Sequence, residues 1–82
     1  MPDQDLVERI EINPRVMGGK PVIQGTRLTV NPILHLLAAG STVAEILSEY
    51  ESLAEQDIRA CLLFAARTLE SSSFVPLGIG IA

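Results

Sequence analysis

The sequence predicts a mainly α domain: three helices in helix-turn-helix order behind short N-terminal β-strands. Three observations point there. Glycine and proline breaks crowd the first third of the chain, and helix signals take over from Asn31. Two Ser/Thr-to-Glu spacings, Thr42 to Glu45 and Ser52 to Glu55, mark helix starts, because the hydroxyl and the carboxylate can cap each other's free amides. Apolar residues then recur at helical spacing, as in Val43, Ile46, Leu47 and Tyr50.

The chain has 82 residues, which suits one small domain. Apolar residues make up 48% of it, enough for a core, and the aromatic residues are Tyr50, Phe64 and Phe74, so that core must be aliphatic. The single cysteine, Cys61, rules out an internal disulfide and fits a reducing cytoplasm. No apolar run approaches the roughly 20 residues of a membrane helix. The acidic, polar N-terminus does not read as a signal peptide.

The net charge of -4 argues mildly against tight nucleic-acid binding by a lone domain. The charges are unevenly spread. Residues 9–27 carry Arg9, Arg15, Lys20 and Arg27 against Glu11 alone. Residues 41–70 carry Glu45, Glu49, Glu51, Glu55, Asp57 and Glu70 against Arg59 and Arg67.

Residues 1–7 are expected to be a flexible N-terminus. A single domain covers 8–70, with strands and turns over 8–30 and helices over 31–70, and an apolar tail covers 71–82. Val7–Ile12 alternates imperfectly and suits a short strand, which Asn13-Pro14 ends. Gly18-Gly19 is a second break, where the backbone needs positive φ. Pro21–Gln24 and Arg27–Val30 read as a small hairpin around Gly25-Thr26, with glycine in the first central position. A sheet this short must pack on helices.

Asn31-Pro32 reads as a helix start, with asparagine as cap. That helix runs to Ala39 and stops at Gly40. It is apolar nearly all round, so it should be central. The second helix begins at Thr42. The third runs from Ser52–Glu55 to about Glu70, with Ile58, Cys61, Leu62, Ala65, Ala66 and Leu69 as its core stripe. Ala60, Leu63 and Phe64 are surplus apolar residues on its other side, and they suggest a homodimer interface. The tail FVPLGIGIA is too short to span a membrane. Phe74, Val75, Leu77, Ile79 and Ile81 suit a partner's groove or a strap over the chain's own core.

Catalytic signals are weak. Met17-Gly18-Gly19-Lys20-Pro21 looks like a phosphate loop but lacks the upstream glycine, the Ser or Thr after the lysine, and the following helix. A lone His35 makes no zinc cluster and reads as a partly buried structural histidine. Cys61 falls on the core stripe and reads as a small hydrophobe. Glu55 and Asp57 lie two apart in a helix's first turn, where they complement the dipole and face different ways. No enzyme, cofactor or metal is expected.

Binding remains. In a helix-turn-helix the third helix would read DNA, and at its start only Gln56 and Arg59 are suited to bases, beside the acids Glu55 and Asp57. Arg15, Lys20 and Arg27 are the other candidate DNA or partner contacts, or else ordinary solvated charges.

The run Ile10–Val30, with its GGKPVIxGTR core at Gly18–Arg27, resembles the signature of the prokaryotic family called domain of unknown function 433. The helix ending Leu36-Leu37-Ala38-Ala39-Gly40, the segment Ser41–Tyr50, and Leu53, Asp57-Ile58 and Ala60–Ala66 follow the same pattern, over roughly residues 8–68. Glu51 stands where the family has proline. Ala54 stands where it has Thr or Ser, which would shift the helix cap to Ser52. The resemblance implies a homeodomain-like helix-turn-helix bundle preceded by strands. It also implies an antitoxin that binds a PIN-like (ribonuclease-type) toxin and operator DNA. A stand-alone DNA-binding regulator and a structural adaptor are the alternatives.

Overall fold

The computed structural model describes residues 3–71. In chain order these are helix α1 (Asp3–Val7), strand β1 (Ile10–Glu11), a 3-10 turn at Met17–Gly19, strand β2 (Val22–Ile23), and helices α2 (Val30–Ala38), α3 (Val43–Glu49) and α4 (Glu55–Ser71). The expected class holds. The domain is mainly α, with three principal helices behind a two-stranded antiparallel sheet.

The N-terminus differs from the sequence reading. Asp3–Val7 wind into a helix that packs on α4, and Leu6 is buried. Five residues cannot hold a helix alone, so its stability is tertiary and has no local signature.

The sheet is smaller than expected and differently paired. β1 pairs antiparallel with β2, Ile10 opposite Ile23 and Glu11 opposite Val22. The expected strand Arg27–Val30 shrinks to one bridge, Thr29 opposite Val22. The tight turn spans Ile23–Thr26, closed by the Thr26 amide on the Ile23 carbonyl at 3.0 Å. Gln24 and Gly25 are its central residues, one position earlier than expected. Gly25, in the second central position, has φ 84°, which a side chain rarely adopts.

α2 begins at Val30 rather than at an Asn31 cap. The N-cap position falls to Thr29, whose side chain makes no capping bond. The reason lies in the strand: the Val30 amide already donates to the Pro21 carbonyl at 3.0 Å. Pro32 sits in the first turn, where its missing amide costs nothing. At the other end, Gly40 (φ 102°) and Ser41 donate to the carbonyls of Leu37 and Leu36, the paired bonds of a glycine-ended helix.

α3 starts as expected. The Thr42 hydroxyl accepts from the Glu45 amide at 3.1 Å, and the Glu45 carboxylate accepts from the Thr42 amide at 2.7 Å. The α4 cap did not move to Ser52. Ala54 precedes the helix, and the Asp57 carboxylate accepts from its amide at 2.9 Å. Half of a reciprocal cap therefore survives without a hydroxyl.

Ile23, Val30, Ile33, Ile46, Leu53, Ile58 and Cys61 form the core. It is aliphatic, as expected, with Tyr50 and Phe64 packed at its margin. Full burial of one such side chain is worth about 1.5–3 kcal/mol. α4 is the hub, packing on α1, β1, α2 and α3. Its buried arc differs from the expected stripe. Ala60 is fully buried and Phe64 half-buried, whereas Leu62, Ala66 and Leu69 face out. Ala60 is thus core, and it is unavailable as a dimer contact.

Candidate functional site

The most constrained polar feature is a clasp between the N-terminal arm and α4. Arg9 Nη1 donates to Asp57 Oδ1 at 2.9 Å, joining residues far apart in sequence. Asp57 Oδ2 holds the Ala54 amide. The Asp57 side chain is only 10% exposed, so both of its oxygens are spent on structure. Asp5, Glu8 and Gln24 border the same hollow. Sequence reasoning missed this pair. The sequence presents Asp57 as a dipole partner and Arg9 as part of a basic run, and nothing local links them.

The glycine-rich segment is also built for structure first. The Asn13 side chain accepts from the Arg15 amide, and the Asn13 carbonyl accepts from the Val16 amide. Gly18 and Gly19 take positive φ, as expected. The Thr26 hydroxyl donates to the Ile23 carbonyl at 2.7 Å and accepts from the Leu28 amide at 3.0 Å, which stitches the turn. This scaffold leaves Arg15, Lys20 and Arg27 exposed. Lys20 borders a shallow hollow with Thr29, Asn31 and His35. His35 is exposed, not the partly buried histidine the sequence suggested.

The two remaining candidate contacts divide. Arg59 is exposed and Gln56 half-buried. With Asp57 tied to Arg9, the exposed charges of the helical half are Glu45, Glu49, Glu51, Glu55 and Glu70 against Arg59 and Arg67. The helical half therefore stays acidic after folding, whereas in the N-terminal half exposed Arg15, Lys20 and Arg27 are offset by exposed Asp5, Glu8 and Glu11.

Cys61 is fully buried. Burial pushes its thiol from 9.0 up to about 11, and the Asp57 carboxylate adds to the effect. A thiol held protonated is a poor nucleophile. Among the described residues, no group of three or more His, Cys, Asp or Glu is placed to hold a metal ion. No described helix is long and apolar enough to cross a membrane.

The second half of α4 carries the apolar surface. Leu62 is 49% exposed and Leu69 59% exposed, with Ala66 between them. Beside them runs an apolar groove of about 290 Å³ between α2 and α4, lined by Val30, Leu34, Phe64, Ala65 and Leu69 among others. Of the expected dimer residues, Phe64 lines this groove and Leu63 is half-buried. Phe74, Val75, Leu77, Ile79 and Ile81 lie outside the described residues.

Residues 10–65 match the family model described as a protein of unknown function (DUF433). Over 58 residues the chain is 34% identical to the uncharacterized protein y4eO of Sinorhizobium fredii (strain NBRC 101917 / NGR234). That match takes in 71% of this chain but only 26% of the relative, so the chain spans about a quarter of its length. The crystal structure of a DUF433 member protein from Anabaena variabilis ATCC 29413 superposes with a TM-score of 0.71 at 30% identity, covering 82% of this chain and 66% of that one.

Proposed function

This chain belongs to the DUF433 family, and we propose that it is a non-enzymatic binding module, the antitoxin of a toxin–antitoxin pair whose partner is a PIN-like toxin. The observation that carries this reading is the excess of exposed acid on the helical half. Five exposed carboxylates lie on the helical half, while Asp57, its buried acid, is bonded to Arg9 and the Ala54 amide. A ribonuclease-type toxin must attract RNA, so its working surface is basic, and an acidic helical face is its electrostatic complement. Exposed Leu62 and Leu69 add apolar contact area on the same half.

The test is co-expression. A PIN-like protein encoded beside this chain should arrest growth alone and not in its presence. Replacing Glu45, Glu49 and Glu55 together by lysine should weaken the complex and its rescue of growth. Full rescue by that variant would remove the charge argument.

A second reading, a DNA-binding regulator, is favoured by the outward placement of Arg15, Lys20 and Arg27 on a rigid scaffold. It predicts DNA affinity that falls steeply with salt and drops in Arg15→Ala or Arg27→Ala. Flat salt dependence would remove it. Self-association through α4 is the remaining partner reading. It now centres on Leu62, Ala66 and Leu69 rather than on buried Ala60.

A further inference from the structure

α4 outruns its own core. Its last fully buried residue is Cys61, and the helix continues to Ser71. At about 1.5 Å per residue, some 15 Å of helix follows, with Leu63, Phe64 and Ala65 half-buried and Leu62, Ala66 and Leu69 exposed. The groove beside this stretch is lined by apolar Pro21, Val30, Leu34, Phe64, Ala65 and Leu69 with polar Asn31 and Thr68, and no lining residue is charged.

We propose that this groove is the docking site for the chain's own C-terminal segment, with Phe74 as the anchor. The sequence from 72 to 82 carries no charge and supplies Phe74, Val75, Leu77, Ile79 and Ile81. The helix ends two residues beyond Leu69, at the groove's edge. Three residues separate Ser71 from Phe74, a reach of about 10 Å. Ala65 lies about 9 Å back along the helix axis, so a chain that reverses at Ser72-Ser73 brings the Phe74 ring to the groove. The space suffices. An apolar cavity of about 150 Å³ accepts a benzene ring, and the groove offers about 290 Å³.

The tethered segment has an effective concentration near the millimolar range, which favours the same chain over a second copy at micromolar protein. The proposal shares Leu69 with the apolar contact area of the toxin reading, and its test needs no partner, so the two fail separately.

The test is nuclear Overhauser spectroscopy on the full-length protein, where Phe64 and Phe74 are the only phenylalanines and Tyr50 the only tyrosine. Contacts from Phe74 to Leu34, Ala65 and Leu69 are expected. In a mixed sample of labelled and unlabelled chains they should arise within one chain. Absence of these contacts, or contacts arising only between chains, overturns the proposal. A Phe74→Asp, Leu77→Asp variant should release the segment from the groove. It should also raise amide exchange at Thr68–Ser71 by about tenfold, the equilibrium effect of uncovering one large apolar side chain. Unchanged exchange in that variant overturns it equally.

Discussion

Arg9→Met tests the clasp that ties the N-terminal arm to α4. The substitution keeps an aliphatic stem and removes the guanidinium, leaving Asp57 hydrogen-bonded to the Ala54 amide alone among the described residues. Breaking a fully buried ion pair costs about 3–5 kcal/mol, whereas exposed pairs are worth about 0–1 kcal/mol. Here the Asp57 side chain is 10% exposed and that of Arg9 35%, so solvent screening discounts the pair and places it between those limits. We expect Arg9→Met to cost about 2 kcal/mol, a fall in Tm of roughly 8–16 °C for a domain this small. Asp57→Ala loses the pair and the helix cap together, about 3 kcal/mol. The double variant should cost only about 3.5 kcal/mol, a coupling of about 1.5 kcal/mol. Urea unfolding of the four proteins, followed by circular dichroism, measures each value. A coupling below roughly 0.5 kcal/mol, the ordinary scatter of independent sites, would refute the clasp as a stabilising element.

Three further outcomes follow from the same geometry. Gly40→Ala forces a side chain to φ 102° and should cost about 1–2 kcal/mol in the same unfolding assay, whereas Ala39→Gly, one residue earlier in αR, should cost about 1 kcal/mol or less. Thr26→Val removes a hydroxyl that both donates to Ile23 and accepts from Leu28, and should cost about 1–3 kcal/mol with the turn amides exchanging faster. The raised Cys61 pKa makes stability fall in alkali. The unfolded thiol ionises near 9.0 and the folded one near 11, so the contribution is full below the first value and lost as pH rises through the second. The loss is about 2.7 kcal/mol at most. Wild type should lose most of that, about 2.3 kcal/mol, relative to Cys61→Ala between pH 8 and 11, and parallel curves would contradict it.

The legible parts of the fold were those written in adjacent residues. The α3 cap needs only Thr42 and Glu45, and the α2 stop needs only Gly40. The illegible parts depend on partners far along the chain. α1 exists because α4 is there to receive it. The α2 cap moved because Pro21 reaches the Val30 amide, and the α4 cap stayed because Asp57 reaches Ala54. On α4 both helical arcs are apolar, so spacing alone could not decide between Leu62 and Ala60. The packing of neighbouring elements around α4 decided it. For the candidate site, the outward cations and acids were legible as charge patterning. The Arg9–Asp57 clasp, which takes one charge from each half, was not.

The most direct test of the binding-module account is to recover the tagged protein from its own cells at physiological salt. Mass spectrometry and nucleic-acid staining then identify what co-purifies. The account predicts a PIN-like protein in stoichiometric amount, retained by the native chain and depleted from the Glu45, Glu49 and Glu55 lysine variant. Recovery of DNA alone, released by raising salt, would contradict the antitoxin reading and transfer the function to Arg15, Lys20 and Arg27.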